Sequence, residues 1–201
     1  LYGENNLNYA IAMNNLAYLY RMTGKLYLSE NMFLKSNQII RNIFGSYHPN
    51  YETSLNNMVL LYNKMSFATS DHDTLQTIND KLKEYLLKTL EVTNRNLQVN
   101  FSFLSEKEKE MYFDKIDGRY YIFNSIALRK KDKYPDLLQE AVNNTLRNKG
   151  LLLKSSTALR NYITQSNDSD LIDKYEKWIV LKKQISKLYA TPVSKREKNI
   201  D

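Results

Sequence analysis

Leu16-Ala17-Tyr18-Leu19-Tyr20, followed by Gly24, is answered 42 residues later by Met58-Val59-Leu60-Leu61-Tyr62. The same offset carries Gly3 onto Gly45, Tyr9 onto Tyr51, and Asn14-Asn15 onto Asn56-Asn57. One offset shared by this many positions marks a structural repeat. Within each copy the apolar residues fall at helical spacing. Met13, Leu16, Ala17 and Tyr20 share one face, and Leu55, Met58, Val59 and Tyr62 share its counterpart. Each copy therefore opens with an amphipathic helix.

Outward from that stretch, residues from about Leu7 to Met22 form the first helix. Thr23-Gly24-Lys25 is its turn, because glycine reaches positive φ without steric cost. A second helix runs from about Leu26 to Phe44, with Met32, Phe33, Ile39, Ile40 and Ile43 available to face the first, and Gly45 closes it. His48-Pro49 begins the next repeat, proline being tolerated in a first turn, where its missing amide hydrogen has no acceptor to lose. One repeat is thus a pair of antiparallel helices.

Beyond Ser66, residues Phe67 to Asp73 read as a lengthened turn. A long helix then passes through Leu75, Ile78, Leu82, Leu86 and Leu90 to about Asn100. Ser105 with Glu108 spells a capping box and starts a helix that runs to about Lys131. Pro135 opens another, through Leu137, Leu138, Val142, Leu146, Leu151 and Leu152 to near Gln165. Ser166 to Asp170 is a polar turn. The last helix carries Ile172, Tyr175, Ile179, Ile185 and Leu188 until Thr191-Pro192, and the polar, Lys-rich tail after Pro192 is expected to be disordered.

With 201 residues, 42% of them apolar, the chain can bury a substantial core. It has no cysteine, which removes disulfides, thiolate metal sites and a cysteine nucleophile. No stretch approaches the roughly 18 uninterrupted apolar residues of a membrane span, and the first residues are unlike a signal peptide. The expectation is a soluble, cytoplasmic piece of a longer chain, because Leu1-Tyr2-Gly3 matches Ile43-Phe44-Gly45, the end of a repeat. The net charge of +7 is unevenly placed: the first hundred residues hold 9 basic and 8 acidic side chains, leaving 20 and 14 for the rest. A basic second half admits a nucleic-acid partner. A genome biased toward A/T-rich codons produces the same richness in Lys, Asn, Ile and Tyr without one.

The residues Leu16-Ala17-x-x-Tyr20-x-x-x-Gly24, and Gly45-x-x-His48-Pro49 followed by Leu55-Asn56-Asn57, resemble the tetratricopeptide family. The likeness is to its long-period version in kinesin light chains and many bacterial proteins, since the usual period is about 34 residues. The second copy departs from the pattern at Ser66, where glycine is expected. In the second half, Asn94-x-x-x-x-x-Asn100-Phe101-x-Phe103-Leu104-Ser105-Glu106, then Ala127-Leu128-Arg129, then Arg147-Asn148-Lys149-Gly150-Leu151-Leu152 are similar to the helical region before the caspase-like domain of the CHAT family. The resemblance implies an all-α chain of antiparallel helix pairs, stacked as a tetratricopeptide-like solenoid and followed by a bundle of long helices. It places the repeats at 1–93, the long-helix region at 94–190 and a tail at 191–201. It also implies regulation of a downstream protease-like domain. None of that domain's catalytic residues has a counterpart here.

Asn14, Tyr18 and Arg21 stand at i, i+4 and i+7, a stripe offset from the apolar face, and Asn56, Leu60 and Asn63 form the matching stripe. In the family these positions line the concave surface and touch bound peptides, so the resemblance implies a protein or peptide ligand. Asparagine amides suit that work, donating and accepting toward an extended backbone. The alternative is that Asn14 and Asn56 only join one repeat to the next. Arg129, Lys130, Lys131 and Lys133 end a helix, where the dipole favours cations by about 0.3 to 1 kcal/mol each. Lys174, Lys177 and Lys187, with Arg147 and Lys154, read as a solvated face.

His48 and His72 lack metal-ligand spacing, and neither a metal nor a cofactor is expected. Glu106, Glu108 and Glu110 lie along a first turn, where negative charge is stabilising. No hydrolytic triad, phosphate-cradling loop or dinucleotide fingerprint is present, so the chain is read as a non-enzyme. Gly150, inside a helix, costs about 1 kcal/mol relative to alanine, and close packing of another helix, or of a downstream domain outside this sequence, is the expected reason.

Overall fold

The computed structural model describes residues 6–101 and 104–190, and of residues 106, 152–159, 182, 183 and 185–190 the backbone alone. Seven helices and no strand occur among the described residues: α1 (Leu7–Met22), α2 (Leu26–Phe44), α3 (Pro49–Ala68), α4 (His72–Phe101), α5 (Glu106–Arg129), α6 (Pro135–Gln165) and α7 (Ser169–Ala190). The all-α class and the pairing of neighbouring helices expected from the sequence are what the chain adopts. Among the described residues no helix is long and apolar enough to cross a membrane. Gly3, Phe103, the tail from Thr191 and the side chains of Glu106, Leu152, Lys154, Ile185, Lys187 and Leu188 lie outside the described residues.

Local chemistry sets the ends of the helices. The Asn6 side chain accepts from the Tyr9 amide at 2.9 Å and starts α1, while Gly24 at φ 80° lets the chain turn into α2. Gly45, at φ 83°, performs the same service after α2. His48 caps α3 by accepting from the Asn50 amide, its ring stacked on Phe44, and Pro49 follows as the first helical residue. Asp71 accepts from the Thr74 amide and starts α4, and its bonds with Thr74, the side chain's first and then the amide's, hold its carboxyl below the usual range. Both halves of the Ser105–Glu108 capping box are formed at α5.

The chain divides into two compact units, Leu1–Leu146 and Arg147–Asp201, the division falling within α6. Residue 94 lies inside α4, which runs unbroken across it. In the first unit each helix packs on the next, α1 on α2, α2 on α3, α3 on α4 and α4 on α5, and α1 also touches α3. That succession is solenoid-like stacking. The first seam is made of small residues. Ser29 Oγ donates to the Ala17 carbonyl at 2.7 Å and Ser36 Oγ to the Ala10 carbonyl at 2.8 Å. As one index rises by seven the other falls by seven, so α1 and α2 run antiparallel, and the small side chains let them approach closely.

Between α2 and α3, Ile39, Ile40, Tyr51 and Leu55 form a buried cluster with Ala10 and Val92. Asn37 donates to Ser54 within the same interface, and Tyr62 donates to Glu30 at 2.7 Å. Burial is the first reason the Tyr62 hydroxyl is pushed above its ordinary range, and the bond to Glu30 is the second. Leu55, Met58, Val59, Leu61, Leu82, Leu86 and Leu97 are fully buried, each worth about 1.5 to 3 kcal/mol of apolar transfer. Within the same unit the start of α6 is tied to α4: the Tyr134 hydroxyl donates to Asp80 at 2.6 Å and Lys83 pairs with Asp136 at 2.6 Å.

Two expected core positions stand differently. Leu16 is 38% exposed and Ile43 42% exposed, because no further helix among the described residues lies over the outer side of α1 or the end of α2. In the second unit the remainder of α6 is followed by α7 through the turn 166–168, where Asn167 takes φ 56° and Asp168 accepts from the Leu171 amide. Among the described residues nothing lies within 4 Å of where a Cβ on Gly150 would be.

Candidate partner-binding site

The two stripes read from the sequence both face the next odd-numbered helix. On α1, Asn14 is half-buried and its Oδ1 accepts from Asn57 Nδ2 on α3 at 2.9 Å. About two turns further along α1, the Arg21 carbonyl accepts from Lys64 Nζ at 2.7 Å. On α3, half-buried Asn56 lies among Val59, Leu86, Thr93, Arg119, Tyr120 and Phe123, where α3, α4 and α5 meet. Leu60 is half-buried on the same side, and Asn63 Oδ1 accepts from Arg129 Nη2 of α5 at 2.6 Å. Asn14 and Asn63 thus join successive odd-numbered helices, whereas the bridging alternative named Asn14 and Asn56. Asn14 meets Asn57 rather than its repeat-mate Asn56.

Along this α1–α3–α5 seam the open surface is aromatic and cationic. Tyr18 is 49% exposed with the Arg21 guanidinium 5.2 Å from its ring centroid, and Phe67 is 66% exposed with the Arg129 guanidinium at 4.9 Å. Such a stack holds a guanidinium in a defined place while leaving the ring's other face to a partner. Arg21 Nε is buried without an acceptor, and burial lowers that group's pKa. Sequence reasoning missed Asn57, Lys64, Phe67 and Arg129 as members of this surface. Arg129 was legible only as a cation at the end of α5, since its bond to Asn63 crosses 66 residues.

A second polar cluster lies beneath the seam. Glu52, 2% exposed, accepts from Thr93 Oγ1 at 2.7 Å and Asn96 Nδ2 at 2.6 Å on α4, and pairs with Arg119 Nη1 of α5 at 3.1 Å. Both carboxylate oxygens are occupied, which is the condition for keeping a charge inside a protein. Tyr112 beside it titrates above its ordinary range, first from burial and then from the Glu52 charge. The cluster is closed by its own partners and fixes α5 on α3 and α4.

The histidines do other work: His48 caps α3, and exposed His72 lies 3.5 Å from Asp73. Among the described residues no three of His, Asp and Glu are gathered as a metal site. Lys174 and Lys177 of the second unit pair with Asp170 and Asp173 one turn earlier on α7, both at 2.6 Å. A scan against protein-family models finds no match to this chain, and a search of curated proteins finds no similar one.

Proposed function

We propose that this chain is a non-catalytic protein-interaction scaffold that takes a peptide or protein partner along the α1–α3–α5 seam. The observation that carries the reading is the pairing of exposed Tyr18 and Phe67 with fixed guanidinium groups on a surface otherwise held by inter-helix amide bonds. Rigid rings beside donors are the side chains that anchor partners at protein interfaces. Asn14, Tyr18, Arg21 and Asn63 lie along the seam, and Asn56 and Leu60 support it from the α5 side. By the resemblance to CHAT-family proteins, occupancy of the seam regulates a caspase-like domain. A cytoplasmic location belongs to the same reading.

The test is an array of random immobilised octapeptides probed with the chain and with its Tyr18→Ala/Phe67→Ala variant. The wild-type chain should retain a reproducible subset of peptides, and the variant, folded by circular dichroism, should lose most of it. An unchanged binding pattern in the variant would overturn the reading. A nucleic-acid role for the second unit gains no support from Lys174 and Lys177, whose charges are already met by aspartates.

A further inference from the structure

Several cations of the first unit are met by carboxylates: Lys81 by Glu30 at 2.8 Å, Lys83 by Asp136 at 2.6 Å, Lys88 by Glu84 at 2.6 Å and Arg119 by Glu52 at 3.1 Å. Others away from the seam rest on neutral groups, Arg95 over the Tyr47 ring at 4.0 Å and Arg41 on the Ser46 hydroxyl at 3.2 Å. On the seam, none of the ion pairs formed among the described residues includes Arg21, Lys64 or Arg129. Each is held by a neutral group instead. Arg21 lies over the Tyr18 ring, Lys64 donates to a main-chain carbonyl, and Arg129 donates to the Asn63 amide and covers Phe67. Neutral partners fix the positions of these charges without cancelling them. Beside Arg129, burial first and then the charges of Arg129 and Lys133 lower the Lys130 pKa, so like charges crowd the α5 end of the seam.

Resting on the reading that a peptide occupies the seam, we infer that its ligand is an acidic peptide segment, with carboxylates for Arg21, Lys64 and Arg129 and apolar side chains for Tyr18 and Phe67. The three cations belong to one run of contacts: Arg21 touches Lys64, whose chain neighbour Asn63 holds Arg129. Packed helices lie about 9 Å apart, and an extended chain advances about 3.3 Å per residue. A segment of about six residues therefore crosses α1, α3 and α5, with an acidic residue due every second or third position. A nucleic-acid strand fits less well, because three cations across three helices give a short track and two of the seam's amides are already committed to each other.

The inference is tested by fluorescence anisotropy with a labelled octapeptide alternating Glu and Leu, its twin carrying Gln at every Glu, and a labelled single-stranded oligonucleotide of eight thymidines. The Glu peptide should bind at least tenfold more tightly than the Gln twin, and its affinity should fall at least tenfold in Arg21→Gln/Arg129→Gln. Lys174→Gln/Lys177→Gln on α7 should leave it unchanged. Arg21→Glu/Arg129→Glu should invert the preference toward a peptide alternating Lys and Leu, a gain that misfolding cannot imitate. Equal binding of the Glu and Gln peptides, lost in Tyr18→Ala/Phe67→Ala, would overturn the acidic ligand and leave the peptide seam standing. Tighter binding of the oligonucleotide, or no binding of the Glu peptide, would overturn the inference, the seam itself being decided by the peptide array.

Discussion

The first hairpin, α1–α2, and the second, α3–α4, share one frame and fill it differently. Ala10 of the first seam lies under a serine hydroxyl, whereas its counterpart 42 residues on is Glu52, a buried carboxylate bonded to Thr93, Asn96 and Arg119. Leu16 and Leu19 are 38% and 55% exposed, whereas Met58 and Leu61, which replace them, are both at 0%. The difference is not in the residues' character, which is apolar in both copies. It lies in what comes before: α2 lies against α3, and no described helix lies against α1 in the same way. A repeat thus specifies the hairpin, and the neighbour decides which of its faces becomes core.

The hardest blow to this contrast should be Glu52→Ala. It leaves Arg119, Thr93 and Asn96 facing a void, and loss of one member of a buried ion pair costs about 3 to 5 kcal/mol. Urea unfolding should show the midpoint drop accordingly. A loss below about 1 kcal/mol would mean that the seam tolerates alanine as readily as the first hairpin does at Ala10.

Next in size is the leucine pair. Leu61→Ala should cost about 2 to 5 kcal/mol through lost transfer energy and a residual cavity, and Leu19→Ala no more than about 0.5 kcal/mol. Equal losses measured by the same unfolding experiment would show that the outer face of α1 is covered in solution. Smaller again is Ser36→Ala, which removes one buried hydroxyl bond between α1 and α2 and should cost about 1 kcal/mol, with α3–α4 amides keeping their hydrogen-exchange protection.

The finest probe is alkaline titration. Tyr62, Tyr85 and Tyr134 are all raised by burial first, Tyr85 and Tyr134 to about 12. An unfolded chain releases these protons near pH 10. Above that pH the folded state therefore holds more protons than the unfolded one, and stability should fall as pH rises from about 10 through 12. Absorbance at 295 nm should resolve a late-ionising group that shrinks in Tyr62→Phe.

What the sequence made legible was punctuation. Gly24, Pro49, Ser105 with Glu108, and Pro135 act on backbone atoms within about one turn of themselves, so their neighbours in the sequence suffice to predict them. Apolar periodicity found α3 and α4 correctly but made Leu16 a core residue, since periodicity marks a face and not its partner. Nothing in the sequence sets Glu52 apart. Its burial depends on Arg119 and Asn96, which lie 67 and 44 residues further along the chain. The seam was half legible. The stripe of Asn14, Tyr18 and Arg21 was correctly set apart from the apolar face, but the pairing of Asn14 with Asn57 and of Asn63 with Arg129 depends on how far one helix is shifted against the next.

Glu52 also bears on the order in which the array assembles. The α1–α2 seam satisfies its own hydroxyls as soon as its two helices meet, although Glu30 of α2 still takes its partners from Tyr62 of α3 and Lys81 of α4. The second hairpin buries an anion whose cation arrives from α5, so until that helix docks the charge has only two neutral donors to replace its water. Assembly of α3, α4 and α5 is thereby made concerted, with Arg119 acting as the latch that lets the carboxylate leave solvent.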